Sequence, residues 1–332
     1  MKIVVSSSGT TALKPRGFPI LEIALLGAAV AVFFLFPENL ALASYVGIFA
    51  MFALSLDVAL GIAGIVTLGH AVFFGVGAYT AGLIAIAGWS EPISGVLLGG
   101  LAAAVLALAI GPFILRLTGL PLLMITLAVG VFFFEVANKM TWLTGGDDGL
   151  YNIELAPVLG IFEWSVFGTM EYLYVLAWLG AIFYAAQRLA ASPFGFALRG
   201  IRENRLRMGL IGSSVLGHLV VTYAVSAFIA GVAGALLAQT TEFVGLEVLS
   251  IEQSIDVVIM LVLGGVGHLF GALLGAPVYL LVKDLSKQWN PHAWMIVIGM
   301  LLIFVMLFAR GGIYGGLASL MSRRRLNQGE PE

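Results

Sequence analysis

Long stretches of this chain carry almost no charge. Residues 21–36 and 294–308 are nearly uncharged and flanked by polar residues. Runs of this kind have the length needed to cross about 30 Å of hydrocarbon as helices, a fold that satisfies each backbone amide within its own segment. The strict alternation of a transmembrane barrel is absent. With 61% apolar residues among 332, 10% charged and a mean hydropathy of +1.06, the composition excludes a soluble protein. The sequence predicts an all-α, polytopic integral membrane protein.

Apolar stretches fall at residues 18–36, 40–61, 65–88, 93–115, 120–138, 171–187, 213–238, 253–267, 269–282 and 292–309. They predict about ten transmembrane helices, within a range of about eight to ten. A polar stretch with Lys2, Lys14 and Arg16 precedes the first span, which lacks a clear small-residue cleavage site and reads as a retained helix. Alternating the spans from a cytoplasmic N-terminus leaves Lys139, Lys283 and Lys287 outside and the rest of the 16 Lys and Arg residues inside, as the positive-inside rule requires. The expected organisation is a cytoplasmic tail at 1–17, one transmembrane domain over 18–310 and a cytoplasmic tail at 311–332. Two connections are long, 141–170 outside and 188–212 inside.

A formal charge of −2 offers no basic surface for nucleic acid. The absence of cysteine removes disulfides, thiolate metal sites and thiol nucleophiles. Hydrolase and zinc motifs are missing, so neither a catalytic residue nor a metal site is expected and the chain does not read as an enzyme. It has no phosphate-binding loop and no hydrophilic domain. No cofactor is expected on this chain, and any ATP is bound by another subunit.

Glycine is abundant, with 42 residues, many clustered inside spans. Membrane glycines serve close helix packing, and they also mark interrupted helices beside protein or a watery cavity. Interruptions are expected near 61–70 and 264–268. These regions resemble each other. Asp57 precedes Gly61, Gly64, Gly69-His70, Gly75 and Tyr79, and Asp256 precedes Gly264, Gly265, Gly267-His268, Gly271 and Tyr279. A duplicated transporter scaffold leaves such similarity, and glycine-rich apolar sequence also produces it by chance.

Asp57, His70, Glu135, His218, Asp256 and His268 fall within or at the ends of apolar stretches. An ionised group there costs several kcal/mol unless paired or hydrated. Asp57 and His70 are the foremost pathway candidates because they flank a glycine-rich break. Residues 192–207 predict a short amphipathic helix, with Leu198, Ile201 and Leu206 facing the membrane protein or a partner groove and Arg199, Arg202, Glu203 and Asn204 on the other side.

The stretches 61–64 and 67–81, together with 124–128, 143–150 and 262–276, resemble the permease subunits of branched-chain amino-acid ABC transporters, in particular the LivM-type branch. The resemblance runs from about residue 45 to 310. It implies half of a pore in the bacterial inner (plasma) membrane, with alternating access driven by a separate ATPase. It also implies ABC ATPase subunits, a second permease of the LivH type, an extracytoplasmic substrate-binding protein and an amino-acid substrate (Leu, Ile or Val), all within membrane lipid. The family's ATPase-docking loop maps onto Phe194, Gly195, Ala197, Leu198, Arg199, Ile201, Arg202, Glu203 and Asn204. Phe73, Phe74 and Tyr79 beside the break are candidates for an apolar path, with Gly69, Thr126, Gly264 and Gly265 in the neighbouring motifs. Arg205, Gly209 and Pro121 depart from the family's pattern. Urea or amide permeases share much of it, and an ion-coupled secondary transporter using Asp57, Glu135 and Asp256 is the competing class.

Overall fold

A computed structural model describes residues 39–157, 162, 168–289, 294–308 and 311–316. The expected span at 18–36 and the expected tail at 1–17 lie outside the described residues, as does most of the tail at 311–332. Helices dominate: α1 is Leu40–Leu56, α2 Ala71–Ile86, α3 Pro92–Ile114, α4 Leu120–Lys139 and α5 Thr169–Ala191. Two short helices follow, α6 at Pro193–Glu203 and α7 at Arg205–Leu210. The chain continues through α8 (Val215–Thr241), α9 (Ile251–Gly264), α10 (Leu269–Trp289) and α11 (Trp294–Phe308). Among the described residues no strand forms, and an isolated bridge joins Leu150 and Val244.

Among the described residues six helical segments are long and apolar enough to cross a membrane: Leu40–Ile62, Pro92–Ile114, Leu120–Lys139, Thr169–Ala191, Val215–Thr241 and Leu269–Gln288. Two apolar helices, Ala71–Ile86 and Trp294–Val305, are shorter. The expected number of about ten therefore exceeds the full-length spans seen in the described residues. Part of the difference is the expected span at 18–36, outside the described residues, and part has a local cause. The predicted span at 65–88 begins six residues late because 65–70 is not helical, and the one at 253–267 becomes the 14-residue α9.

Start signals in the sequence match the helix ends. Pro92 opens α3 and Pro193 opens α6, where a missing N–H is harmless. Ser192 accepts a hydrogen bond from the Gly195 amide at 3.2 Å, and Ser250 accepts from Gln253 at 3.1 Å, removing orphan donors from α6 and α9. The segments containing α1 and α8 are the centre of the bundle, each 78% buried over its most apolar window, whereas α4 and α5 are 22% and 17% buried. Large apolar side chains such as Met124 and Phe113 point outward from the periphery, which suits a hydrocarbon solvent and not water.

Glycine sets the spacing at that centre. A Cβ on Gly234 of α8 would overlap the Phe74 carbonyl of α2, and one on Gly77 would overlap Gly231. Gly99 of α3 completes the contact against Gly77 and Ala235. These are small-residue seams that let backbones meet without side chains between them.

Candidate functional site

Two helix breaks meet at the end of the bundle that carries α6. At the first, α1 widens into a π-helical turn over Asp57–Ile62, leaves helical geometry and resumes as α2 at Ala71. Such turns leave backbone groups without their usual partners. Side chains from other helices supply them. Thr126 of α4 accepts from the Leu68 amide at 3.2 Å, and Ser254 of α9 accepts from the Ala71 amide at 3.0 Å. Gly64 sits at φ +72°, a conformation that costs other L residues about 1–2 kcal/mol. At the second break, α9 stops at Gly264, Gly265 and Gly267 take φ of 117° and 84°, and α10 starts at Leu269.

Asp57 joins the breaks. Its side chain is fully buried, and Oδ1 accepts a hydrogen bond from the Gly267 amide at 2.7 Å. The Arg202 guanidinium of α6 donates to the Gly61 carbonyl and lies against Gly267, while the aliphatic stem of Arg202 lies against Gly64. One arginine of the short helix thus touches both breaks. Leu198 and Ile201 are buried and anchor α6 to the bundle. Arg199 donates to the Ala190 carbonyl at 3.2 Å and lies over the Phe196 ring, while Phe194 stacks on His218 at 5.2 Å. Glu203 is exposed, and Leu206 is 76% exposed instead of packing against the bundle.

The remaining pathway candidates pack inside the chain. His70 is fully buried, with Nε2 at 2.8 Å from the Ser55 hydroxyl and its ring stacked on Phe52 at 5.6 Å. Phe74 lies among Phe49 and Phe52, and Phe73 meets the edge of Tyr223 at 5.1 Å. Gly69 abuts the Thr126 carbonyl, Gly264 abuts Gly271, Gly265 abuts Gly311, and Tyr79 is buried in the core.

At the opposite end, a cavity of about 610 Å³ opens between α1, α9, α10 and α11. Asp256 lines it and the other pathway candidates do not. Its Oδ2 accepts from the Lys283 ammonium at 2.5 Å and its Oδ1 from the Tyr279 hydroxyl. Lys283 lies 5.1 Å from the centre of the Trp294 ring, as does Lys287. Lys283 falls just beyond the expected span at 269–282, whereas α10 continues to Trp289. The signal was there: an acid and a base in two consecutive apolar helices joined by a glycine break are candidates to pair.

A glycine-seamed bundle of apolar helices around two interlocked breaks defines a multi-pass helical membrane protein. Residues 39–306 match the family model described as branched-chain amino acid transport system / permease component, and the chain belongs to that family. It is 28% identical to the high-affinity branched-chain amino acid transport system permease protein LivM of Escherichia coli K12, over 88% of this chain and 73% of the relative. The Salmonella typhimurium LivM is likewise 28% identical, over 87% and 73%. A probable LivM of Methanocaldococcus jannaschii is 25% identical over 50% of this chain and 52% of its own length. No solved structure matches the chain significantly.

Proposed function

We propose that this chain is one permease subunit of an ATP-driven importer of branched-chain amino acids. The observation that carries the reading is the docking of α6 under both helix breaks through Arg202, Gly61, Gly267 and Asp57. A short helix presented at one end of the bundle and bonded to its two irregular points is a lever. Displacing it shifts backbone that side chains hold in one of two discrete arrangements. In this reading α6 faces the cytoplasm and an ABC ATPase subunit binds the ATP. A second, LivH-type permease completes the pore, and an extracytoplasmic binding protein delivers the amino acid. Both termini are cytoplasmic, and the charged cavity faces outward. The relatives' function, branched-chain amino acid transport, supplies the substrate class.

Uptake of labelled leucine into vesicles tests the reading, with the chain alone and with ATPase, second-permease and binding-protein subunits, with and without internal ATP. Accumulation in the complete, ATP-supplied assembly alone is the expected result. Accumulation by the chain alone on an ion gradient would replace it with a secondary transporter, and preference for urea over leucine would move the substrate class.

A further inference from the structure

We propose that the charged cavity at the end of the bundle opposite α6 is a binding site for a zwitterion, an α-amino acid held by both of its charged groups. The Lys283–Asp256 pair is the latch that the ligand opens. This rests on the reading of the chain as an amino-acid permease, and it names residues that would receive the substrate.

The cavity, about 610 Å³, falls within the range of about 300–1,000 Å³ typical of small-molecule sites. Its lining divides by chemistry. Glu247, Glu252 and Asp256 stand on one side, with Lys283 and Lys287 on the neighbouring helix, and Phe49, Ile259, Ile298 and Leu302 form apolar wall. A ligand of a single charge sign would meet repulsion from one of these sets. A zwitterion with an aliphatic side chain complements all three surfaces.

The latch follows from partial burial. The side chains of Lys283 and Asp256 are 21% and 13% exposed, so both have lost hydration and their mutual attraction is largely offset by that loss. An incoming carboxylate can therefore compete for the Lys283 ammonium at small net cost. The Tyr279 hydroxyl makes the exchange feasible, because it keeps Asp256 hydrogen-bonded after Lys283 turns away and spares the penalty of an orphaned buried acceptor. Trp294, already in contact with both lysines, keeps a favourable cation contact through the exchange. The ligand's ammonium then meets Glu247, Glu252 or the released face of Asp256.

The absence of native cysteine gives a direct assay. Gly299→Cys, where a side chain would enter the open space of the cavity, and Leu206→Cys at the other end are each placed in the full chain, assembled in liposomes with the second permease, the ATPase and the binding protein. The rate of labelling by a membrane-impermeant methanethiosulfonate is then followed on this chain. Leucine at about twice its half-saturating concentration slows labelling of Gly299→Cys about threefold, by mass action. Leucinamide, which lacks the carboxylate, and 4-methylpentanoate, which lacks the ammonium, leave the rate unchanged, as does leucine at Leu206→Cys. Adding Lys283→Gln abolishes protection, and Lys283→Arg, which keeps the charge, retains it. Equal protection by all three compounds, or no labelling of Gly299→Cys in any state, overturns the proposal. Absence of leucine protection in an assembly that accumulates leucine on ATP overturns the cavity alone, whereas protection without ATP-driven accumulation upholds the cavity and removes the importer reading.

Discussion

At the first break Asp57 stands one turn before Gly61 and caps the backbone of the second break; at the second, Asp256 stands two turns before Gly264 and pairs with Lys283 across the hairpin. Both regions are helix, glycine break, helix, and the breaks touch where Gly267 meets Gly61. The acids differ in offset by about one helical turn, about 6 Å along the axis. That offset decides their chemistry. Next to the break, a carboxylate finds an orphan amide and is sealed from solvent. One turn farther along, it finds the side chain of the returning helix and the wall of a cavity. One region is built to transmit position, the other to exchange partners.

The largest expected effect tests whether both hairpins depend on glycine equally. In Gly77→Leu and Gly275→Leu the new side chain meets backbone, of Gly231 and Met260 respectively. Both variants should fail to yield folded protein in detergent, since neither neighbour can give way and overpacking alone costs about 1–3 kcal/mol. Gly75→Leu meets the flexible Leu249 side chain and should be milder by size-exclusion yield. Normal yield of either backbone-facing variant would break the equivalence of the hairpins.

Next come the acids themselves. Asp57→Ala removes the buried carboxylate that holds the Gly267 amide, an expected loss of about 1.5–3 kcal/mol, as for a hydrogen bond to a charged group, visible as a lower midpoint of thermal unfolding. Asp256→Ala removes a pair that the cavity partly hydrates, so its midpoint should fall less while uptake at low leucine falls more. Equal stability losses with equal transport losses would erase the division between the regions. Arg202→Ala should follow, leaving ATP hydrolysis running while leucine uptake per ATP drops, by about tenfold if about 1.4 kcal/mol of coupling is lost. Arg202→Lys keeps the charge but not the guanidinium that reaches Gly61, and intermediate coupling is expected.

Much of this was legible in the sequence. Spans such as 120–138 and 93–115 agree with α4 and α3 to within a residue, because prolines and a sudden change of polarity mark their ends. The break at 61–70 was readable from its glycines, and α6 from the serine and proline at its start. Three-dimensional partnership was not. Nothing local says that Gly267 donates to Asp57 rather than to its own helix, or that His70 finds Ser55 and a bed of aromatic rings in place of a watery path. Lys283 was hidden by a boundary: polar residues after 282 read as the end of a span, although Lys can remain helical at a membrane end by extending its charged tip.

The smallest expected effect concerns the far side of the α6 region. The amphipathic pattern offered Leu206 either the bundle or a partner groove, and the structure takes the bundle away: Leu206, Leu210 and Ile211 are 76%, 80% and 76% exposed on and just after α7. An apolar cluster beside the lever, at an end rich in arginine, is left largely uncovered by the described residues. Leu206→Ser should therefore leave the thermal midpoint unchanged, within about 0.5 kcal/mol, while weakening co-purification of the ATPase subunit. Leu198→Ser, whose side chain is fully buried under the same helix, should lower both. If Leu206→Ser lowers the midpoint as Leu198→Ser does, α7 belongs to the fold and not to the partner surface, and the lever ends at Glu203.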